Sequence, residues 1–167
     1  MAATKIRQKG YTEAAIFASR HSYFATSQRV QAFISSCERL GIETDEKYIL
    51  KGSSTRNGGY EIGKQYAALK EPPKMIFCDS DAIALGALRA FHEEGISVPG
   101  DAELLSIGML DPEAASYYVP SLSVVEMPNK EIGQQVLRLM RKKVLNNDIS
   151  SEHVKVHAKL MLRESFS

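Results

Sequence analysis

The sequence predicts an α/β fold in three layers, a parallel sheet with helices on both faces. Short apolar runs alternate with helical patterns along most of the chain, and the connections between them are short and polar. The 167 residues are enough for one domain with a core, and 44% hydrophobic with 25% charged residues is the balance of a globular protein.

The first half of the sequence predicts two strand–helix units after a short helix. The short helix runs from Ala2 to Lys9 and ends before Gly10. The units are a buried strand at Ala14–Ser19, a helix capped by Thr26 or Ser27 with apolar positions at Val30, Phe33, Ile34 and Cys37, a strand at Lys47–Leu50, and a helix at Tyr60–Leu69.

The second half continues the alternation and then changes character. The predicted elements are a strand at Met75–Cys78, a helix from Asp81 to about Glu93 stopped by Gly95, a strand at Leu104–Met109, an extended segment at Ser121–Met127, and a long helix from Asn129 to about Asn147. Apolar and polar residues alternate over 154–158, which predicts an edge strand or a hairpin.

Composition and charge exclude several classes of function. The net charge of +1 gives no overall basic field for nucleic acid, and no apolar run is long enough to span a membrane. The start of the chain, MAATKIRQKGY, has no apolar core of a secretory signal. Cys37 and Cys78 match no metal-ligand spacing. We therefore expect a reduced, cytoplasmic protein without metal or cofactor.

The ends of the predicted strands place polar residues at one rim of the sheet. In open parallel sheets, ligands bind outside the carboxyl ends of the strands. The first strand ends at Ser19, Arg20 and His21, the third at Asp79, Ser80 and Asp81, and the fourth at Leu110 and Asp111.

Three interpretations of Asp79-Ser80-Asp81 compete. The stretch FCDSDAI resembles the acid–x–acid motif of haloacid-dehalogenase-type phosphatases, which use magnesium. However, Ile83 stands where that motif expects Thr or Val, and Asp111 has no second acid beside it. The second interpretation is helix capping, which explains one of the three residues. The third is a rim that binds a small solute.

Five motifs in order support the third interpretation. They are Ser80-Asp81, the stretch ALGALRA, the segments from Gly95 to Asp101 and from Gly108 to Asp111, and PSLS. Upstream of them, GYTEAAIFAS and SQRVQAF add to the pattern. Together they resemble the effector-binding region of LacI/GalR-type transcription regulators over essentially the whole chain.

The resemblance implies one lobe of a type I periplasmic-binding-protein-like fold. Family members have two α/β lobes with an effector between them, preceded by a DNA-binding helix-turn-helix. Residues 1–125 and 151–167 resemble the C-terminal lobe, and residues 126–150 contain a helix that in the family crosses to the N-terminal lobe. The resemblance implies a non-catalytic repressor, a homodimer that senses a sugar or sugar derivative and meets DNA only through a helix-turn-helix outside this sequence. A soluble solute-binding protein is the alternative, against which the missing signal argues.

The resemblance also implies ligand-binding residues. Arg29 matches the family arginine that contacts effector hydroxyls, and Ser80 matches a small polar residue that does the same. Leu110 stands where many members carry an acid, which implies either a less hydroxylated ligand or the use of Asp79 or Asp111 in its place. Tyr23, Phe24 and Ser54, with Arg56 and Asn57, are predicted at the mouth of the site.

Two apolar surfaces are expected to meet partners. By resemblance, Leu85, Leu88, Arg89, Tyr118 and Val119 pack across a dimer axis, although Leu85 and Leu88 could equally be core residues. The long helix carries an apolar stripe at Ile132, Val136, Leu139, Met140 and Val144. Without the other lobe we expect association, domain exchange or disorder there.

Overall fold

The computed structural model describes residues 1–20, 24–108, 113–145 and 151–167. The strands are β1 Ala15–Ser19, β2 Ile49–Gly52, β3 Met75–Cys78, β4 Glu103–Gly108, β5 Ser123–Glu126 and β6 Lys159–Met161. The helices are α1 Ala2–Gln8, α2 Phe24–Arg39, α3 Arg56–Ala67, α4 Asp81–Glu94 and α5 Asn129–Leu145.

The strands form one sheet in the order β2-β1-β3-β4-β5-β6. The pairs from β2 to β5 are parallel, with Phe17 beside Cys78 and Cys78 beside Ser106. Only the pair of β5 with β6 among these strands is antiparallel. The predicted α/β class is confirmed, with one antiparallel strand at the edge.

Two apolar cores lie on opposite faces of the sheet. Because strand side chains alternate, Phe17, Ile76 and Leu104 face α3 and α4, whereas Ile16, Phe77 and Leu105 face α1 and α2. The sheet is therefore the middle of three layers, as the sequence predicts.

The start of α3 differs from the prediction. The glycines of KGSSTRNGG suggest a loop up to Tyr60, but the helix begins at Arg56 because the Thr55 hydroxyl accepts a hydrogen bond from the Gly58 N–H at 3.1 Å. A Cβ at Gly59 would lie 2.2 Å from the carbonyl oxygen of Ile83. Gly59 therefore serves the contact between α3 and α4, whereas a Cβ at Gly58 would overlap Ser53 in the turn before the helix.

Other element boundaries are also corrected. Helix α2 begins at Phe24, so Thr26 and Ser27 lie within its first turn and neither caps it; the Ser27 hydroxyl donates to the Phe24 carbonyl at 2.9 Å. Strand β2 begins at Ile49 because Asp45 caps a 3-10 turn over Glu46–Tyr48.

The edge strand is also displaced. The alternation at 154–158 predicts a strand that is absent from those residues, and β6 lies at Lys159–Met161, where it pairs with β5.

Helix α5 contributes no buried residue to the lobe. Within its predicted stripe, Val136, Met140 and Val144 are 48%, 57% and 75% exposed, whereas Ile132 and Leu139 are half-buried. Arg138 and Lys142 pair with Glu152 at 2.6 and 3.0 Å. The helix is amphipathic, but most of its apolar face is in solvent.

Candidate functional site

The carboxyl ends of β1, β3 and β4 are neighbours in the sheet, so the residues that follow them share one edge. Ser19, Asp79 and Ser80 are described there. Tyr23, Leu110 and Asp111, three of the predicted ligand residues, lie outside the described residues.

Asp79 is fully buried at this edge. Its Oδ2 accepts a hydrogen bond from the Ser19 N–H at 2.7 Å, which ties the end of β3 to the end of β1. Its Oδ1 is also buried and has no hydrogen-bond partner among the residues that the structure describes. One oxygen therefore braces the turn, and the other is left without a partner by the described part of the chain.

Ser80 and Asp81 begin α4. Ser80 is the N-cap residue in an extended conformation, and its carbonyl accepts from the Ala84 N–H at 3.1 Å. Its hydroxyl makes no capping bond, and Oγ is buried without a partner in the described part of the chain. Asp81 is buried in the first turn, where a negative charge complements the helix dipole.

A polar cavity of about 120 Å³ lies between the ends of β1 and β3 and the start of α2. Asp79 and Ser19 form part of its wall, together with two cations, Arg20 and Lys51. The other lining residues come mostly from α2 and are Ala18, Thr26, Ser27, Val30 and Gln31. Carboxylate, hydroxyl and amide groups in one small space can bind hydroxyls of a solute.

Arg29 lines a different cavity, of about 230 Å³. That cavity is mainly apolar, with Phe33, Phe77, Ile107 and Val125 in its wall. The rings of Phe33 and Phe77 stack there, with centroids 3.9 Å apart. The structure thus places Arg29 and Asp79 in two neighbouring cavities that both border α2, and does not bring them into one.

None of the four described residues predicted at the mouth, Phe24, Ser54, Arg56 and Asn57, lines either cavity. Phe24 is 81% exposed as the first residue of α2, and Ser54 is exposed in the turn before α3. Conversely, the sequence reasoning missed Thr26, Gln31 and Lys51. The position of Lys51 near the carboxyl end of β2 was the available signal, because β2 pairs with β1.

The predicted dimer residues form a mixed surface. Val119 is 95% exposed, and the neighbouring Tyr117 is 76% exposed. Leu88 and Tyr118 pack partly against the core, and Arg89 pairs with Glu93 at 2.6 Å. Leu88 is therefore in part a core residue, whereas the side chain of Val119 is exposed and accessible to a partner.

The geometry offers little support for phosphatase chemistry. Asp79, the would-be nucleophile, is buried and bonded to a backbone N–H. Within the described ranges, no three His, Cys, Asp or Glu side chains group as a metal site. In the same ranges, no helix has the length and apolarity needed to cross a bilayer.

The sequence matches the periplasmic binding protein-like domain family over residues 3–166, and the chain belongs to that family. Within it, the chain is similar to the HTH-type transcriptional repressor PurR of Mannheimia succiniciproducens. The two are 26% identical over 165 residues, which is 99% of this chain and 49% of the repressor. The chain thus spans about half the length of the curated relatives it matches.

Solved structures agree with this membership. A LacI family transcription regulator from Clostridium acetobutylicum superposes with a TM-score of 0.90 at 30% identity, over 97% of this chain and 60% of the other. A LacI family regulator from Enterococcus faecium with bound ribose superposes with a TM-score of 0.84 at 20% identity, over 99% and 60%, and shows the shared fold. The resemblance to the effector-binding region of LacI-type regulators is confirmed.

Proposed function

We propose that this chain is the C-terminal effector-binding lobe of a LacI-type transcription repressor that senses a sugar or sugar derivative. The observation that carries the proposal is the polar cavity at the carboxyl edge of a parallel sheet, in a chain of this family. The curated relatives are transcriptional repressors, and a regulator with the same fold was solved with ribose. The cavity contains the hydrogen-bonding groups that hydroxyls require.

In the whole protein, the effector would lie between this lobe and a second one. Binding would favour one arrangement of the two lobes, in proportion to the difference in its affinity for the two arrangements. Helix α5 belongs to the second lobe in this proposal, which accounts for its exposed apolar face. DNA would be bound by a helix-turn-helix outside these 167 residues, in a cytoplasmic homodimer.

A ligand screen on the chain tests the proposal. Ribose, glucose, galactose and cellobiose are added at millimolar concentrations, because one lobe supplies only half of the contacts, and the melting temperature is followed. We expect at least one sugar to raise the melting temperature, since a ligand that binds the native state stabilises it. Mannitol at the same concentrations separates specific binding from general osmolyte stabilisation.

The competing function has its own assay. Magnesium-dependent hydrolysis of p-nitrophenyl phosphate that disappears in Asp79→Asn, combined with no sugar response, would replace the sensor by a phosphatase.

A further inference from the structure

Asp79 lines the 120 Å³ cavity, and its buried Oδ1 has no hydrogen-bond partner among the residues that the structure describes. The other carboxylate oxygen already accepts the Ser19 N–H, so the carboxylate is held in a fixed orientation. A buried carboxylate oxygen without a partner is costly, and a donor supplied from outside removes that cost. The cavity has room for a small group, since a water molecule takes roughly 30 Å³.

The other side chains of the cavity indicate which donor fits. Arg20 and Lys51 belong to the same wall, and the Arg20 guanidinium contacts the Lys51 carbonyl at 3.4 Å. A ligand ammonium would meet repulsion from both cations, whereas a neutral hydroxyl would not. Thr26 and Gln31 add groups that can both donate to and accept from a hydroxylated ligand.

We propose that Asp79 determines effector specificity by accepting a hydrogen bond from one hydroxyl of a sugar at Oδ1. This inference rests on the proposed function and names a residue that distinguishes one sugar from another. It assigns to Asp79 the role that the family resemblance gives to an acid at the position of Leu110. The carboxylate then has one oxygen for the fold and one for the ligand.

The variant Asp79→Asn separates the two roles. Its amide oxygen can still accept the Ser19 N–H, while its NH₂ group replaces the free acceptor by a donor. Ser106→Ala is the matched control, because Ser106 Oγ is equally buried and unpartnered among the described residues but does not line the cavity. Each protein is titrated by NMR with whichever sugar of the ribose, glucose, galactose and cellobiose panel binds the unchanged chain. We expect Asp79→Asn to weaken binding by about ten- to a hundredfold and Ser106→Ala by less than about twofold.

Binding of monodeoxy versions of the same sugar can be measured on the unchanged chain. This measurement tests the inference even if Asp79→Asn fails to fold. We expect one deoxy sugar to bind about tenfold more weakly than its parent, and Asp79→Asn to bind that pair equally. Equal binding of the parent sugar by Asp79→Asn and the unchanged chain, or equal binding of all deoxy sugars, would overturn the assignment but leave sugar sensing intact. Tighter binding of glucosamine than glucose that is lost in Asp79→Asn would overturn the choice of a hydroxyl. A panel in which no sugar binds the unchanged chain overturns the proposed function and this inference together.

Discussion

Three buried oxygens without hydrogen-bond partners in the described residues lie at or near the ends of β3 and β4: Asp79 Oδ1, Ser80 Oγ and Ser106 Oγ. Asp79 and Ser80 follow β3 at the edge where a ligand is expected. Ser106 lies inside β4, beside Cys78 of β3 and Val124 of β5. The proposed effector site would explain the unpaired oxygen of Asp79, which lines the 120 Å³ cavity. Nothing in the structure explains the lack of a partner at Ser106.

Replacing Ser106 by alanine should stabilise the lobe. The change removes a desolvated hydroxyl and leaves only a very small space, so we expect the free energy of unfolding to rise by about 1 kcal/mol. Urea denaturation followed by circular dichroism measures it. A loss of stability of similar size would instead reveal a hydrogen bond to this hydroxyl in solution.

Tyr11 should make the lobe sensitive to alkaline pH. Burial, and next the Glu103 carboxylate, raise the pKa of Tyr11 from 10.0 to about 12. The folded state therefore favours the neutral phenol. This contribution to stability is complete below pH 10 and is lost as the pH rises from 10 through 12.

The variant Tyr11→Phe isolates this effect. Its free energy of unfolding should fall less steeply between pH 10 and 12 than that of the unchanged chain, in denaturation curves taken at half-unit steps. Parallel curves for the two proteins over that range would contradict the assigned role of Tyr11.

At the scale of elements, the contact between α3 and α4 depends on glycines. A Cβ at Gly86 would lie 1.9 Å from the Arg56 carbonyl, and one at Gly63 would lie 2.7 Å from the Ala90 Cβ. Backbone atoms on both sides leave little room for adjustment. The two helices therefore form a closely packed pair on one face of the sheet.

Two glycine-to-alanine changes distinguish the effect of close packing between α3 and α4 from the general stabilisation of a helix by alanine. We expect Gly86→Ala to destabilise the lobe by roughly 3 kcal/mol or more, because the overlap is with backbone. Gly133→Ala is the control, since nothing lies within 4 Å of a Cβ at that position of α5. It should increase the helicity of α5 by circular dichroism, with a gain of up to about 1 kcal/mol. A mild effect of Gly86→Ala would mean that α3 and α4 can separate at little cost.

The sequence predicts some elements better than others for identifiable reasons. Strand β3 is a buried apolar run, and α4 ends at Gly95, which adopts a left-handed conformation with φ of 71°, so both were located to within a residue. The start of helix α3 is predicted too far along the chain, because glycine is common both in closely packed helices and in loops. Residues 154–158 are largely exposed. Alternation of apolar and polar residues is not enough to form a strand unless a neighbouring strand is there to pair with it.

At the scale of the molecule, the site was predicted in outline and not in detail. The rule for parallel sheets placed Ser19, Asp79 and Ser80 at one edge, which the structure confirms. The separation of Arg29 from Asp79 into two cavities depends on which way each side chain of α2 points relative to β3, and on how the helix packs. Neither can be obtained from residue spacing alone.

The predicted homodimer can be tested at its most exposed residue. Val119 is 95% exposed, so Val119→Asp removes no core contact and should leave the melting temperature of the monomer unchanged. If this surface joins two copies, the variant should sediment as a monomer at concentrations where the unchanged chain is a dimer. Thr12→Asp, a change at another exposed position, controls for added charge. If all three proteins sediment as dimers, the dimer contact lies elsewhere.

The pairing of β5 with β6 has a consequence for engineering. Glu126 and Lys159 face each other as the last described pair of these antiparallel strands, so the chain leaves the sheet and returns to it at adjacent points. Everything between them, α5 included, can be regarded as one long loop on a hairpin. A short Asn-Gly turn, which suits a two-residue hairpin connection, could replace residues 127–158 and give a smaller lobe that keeps the whole sheet and the cavity at Asp79.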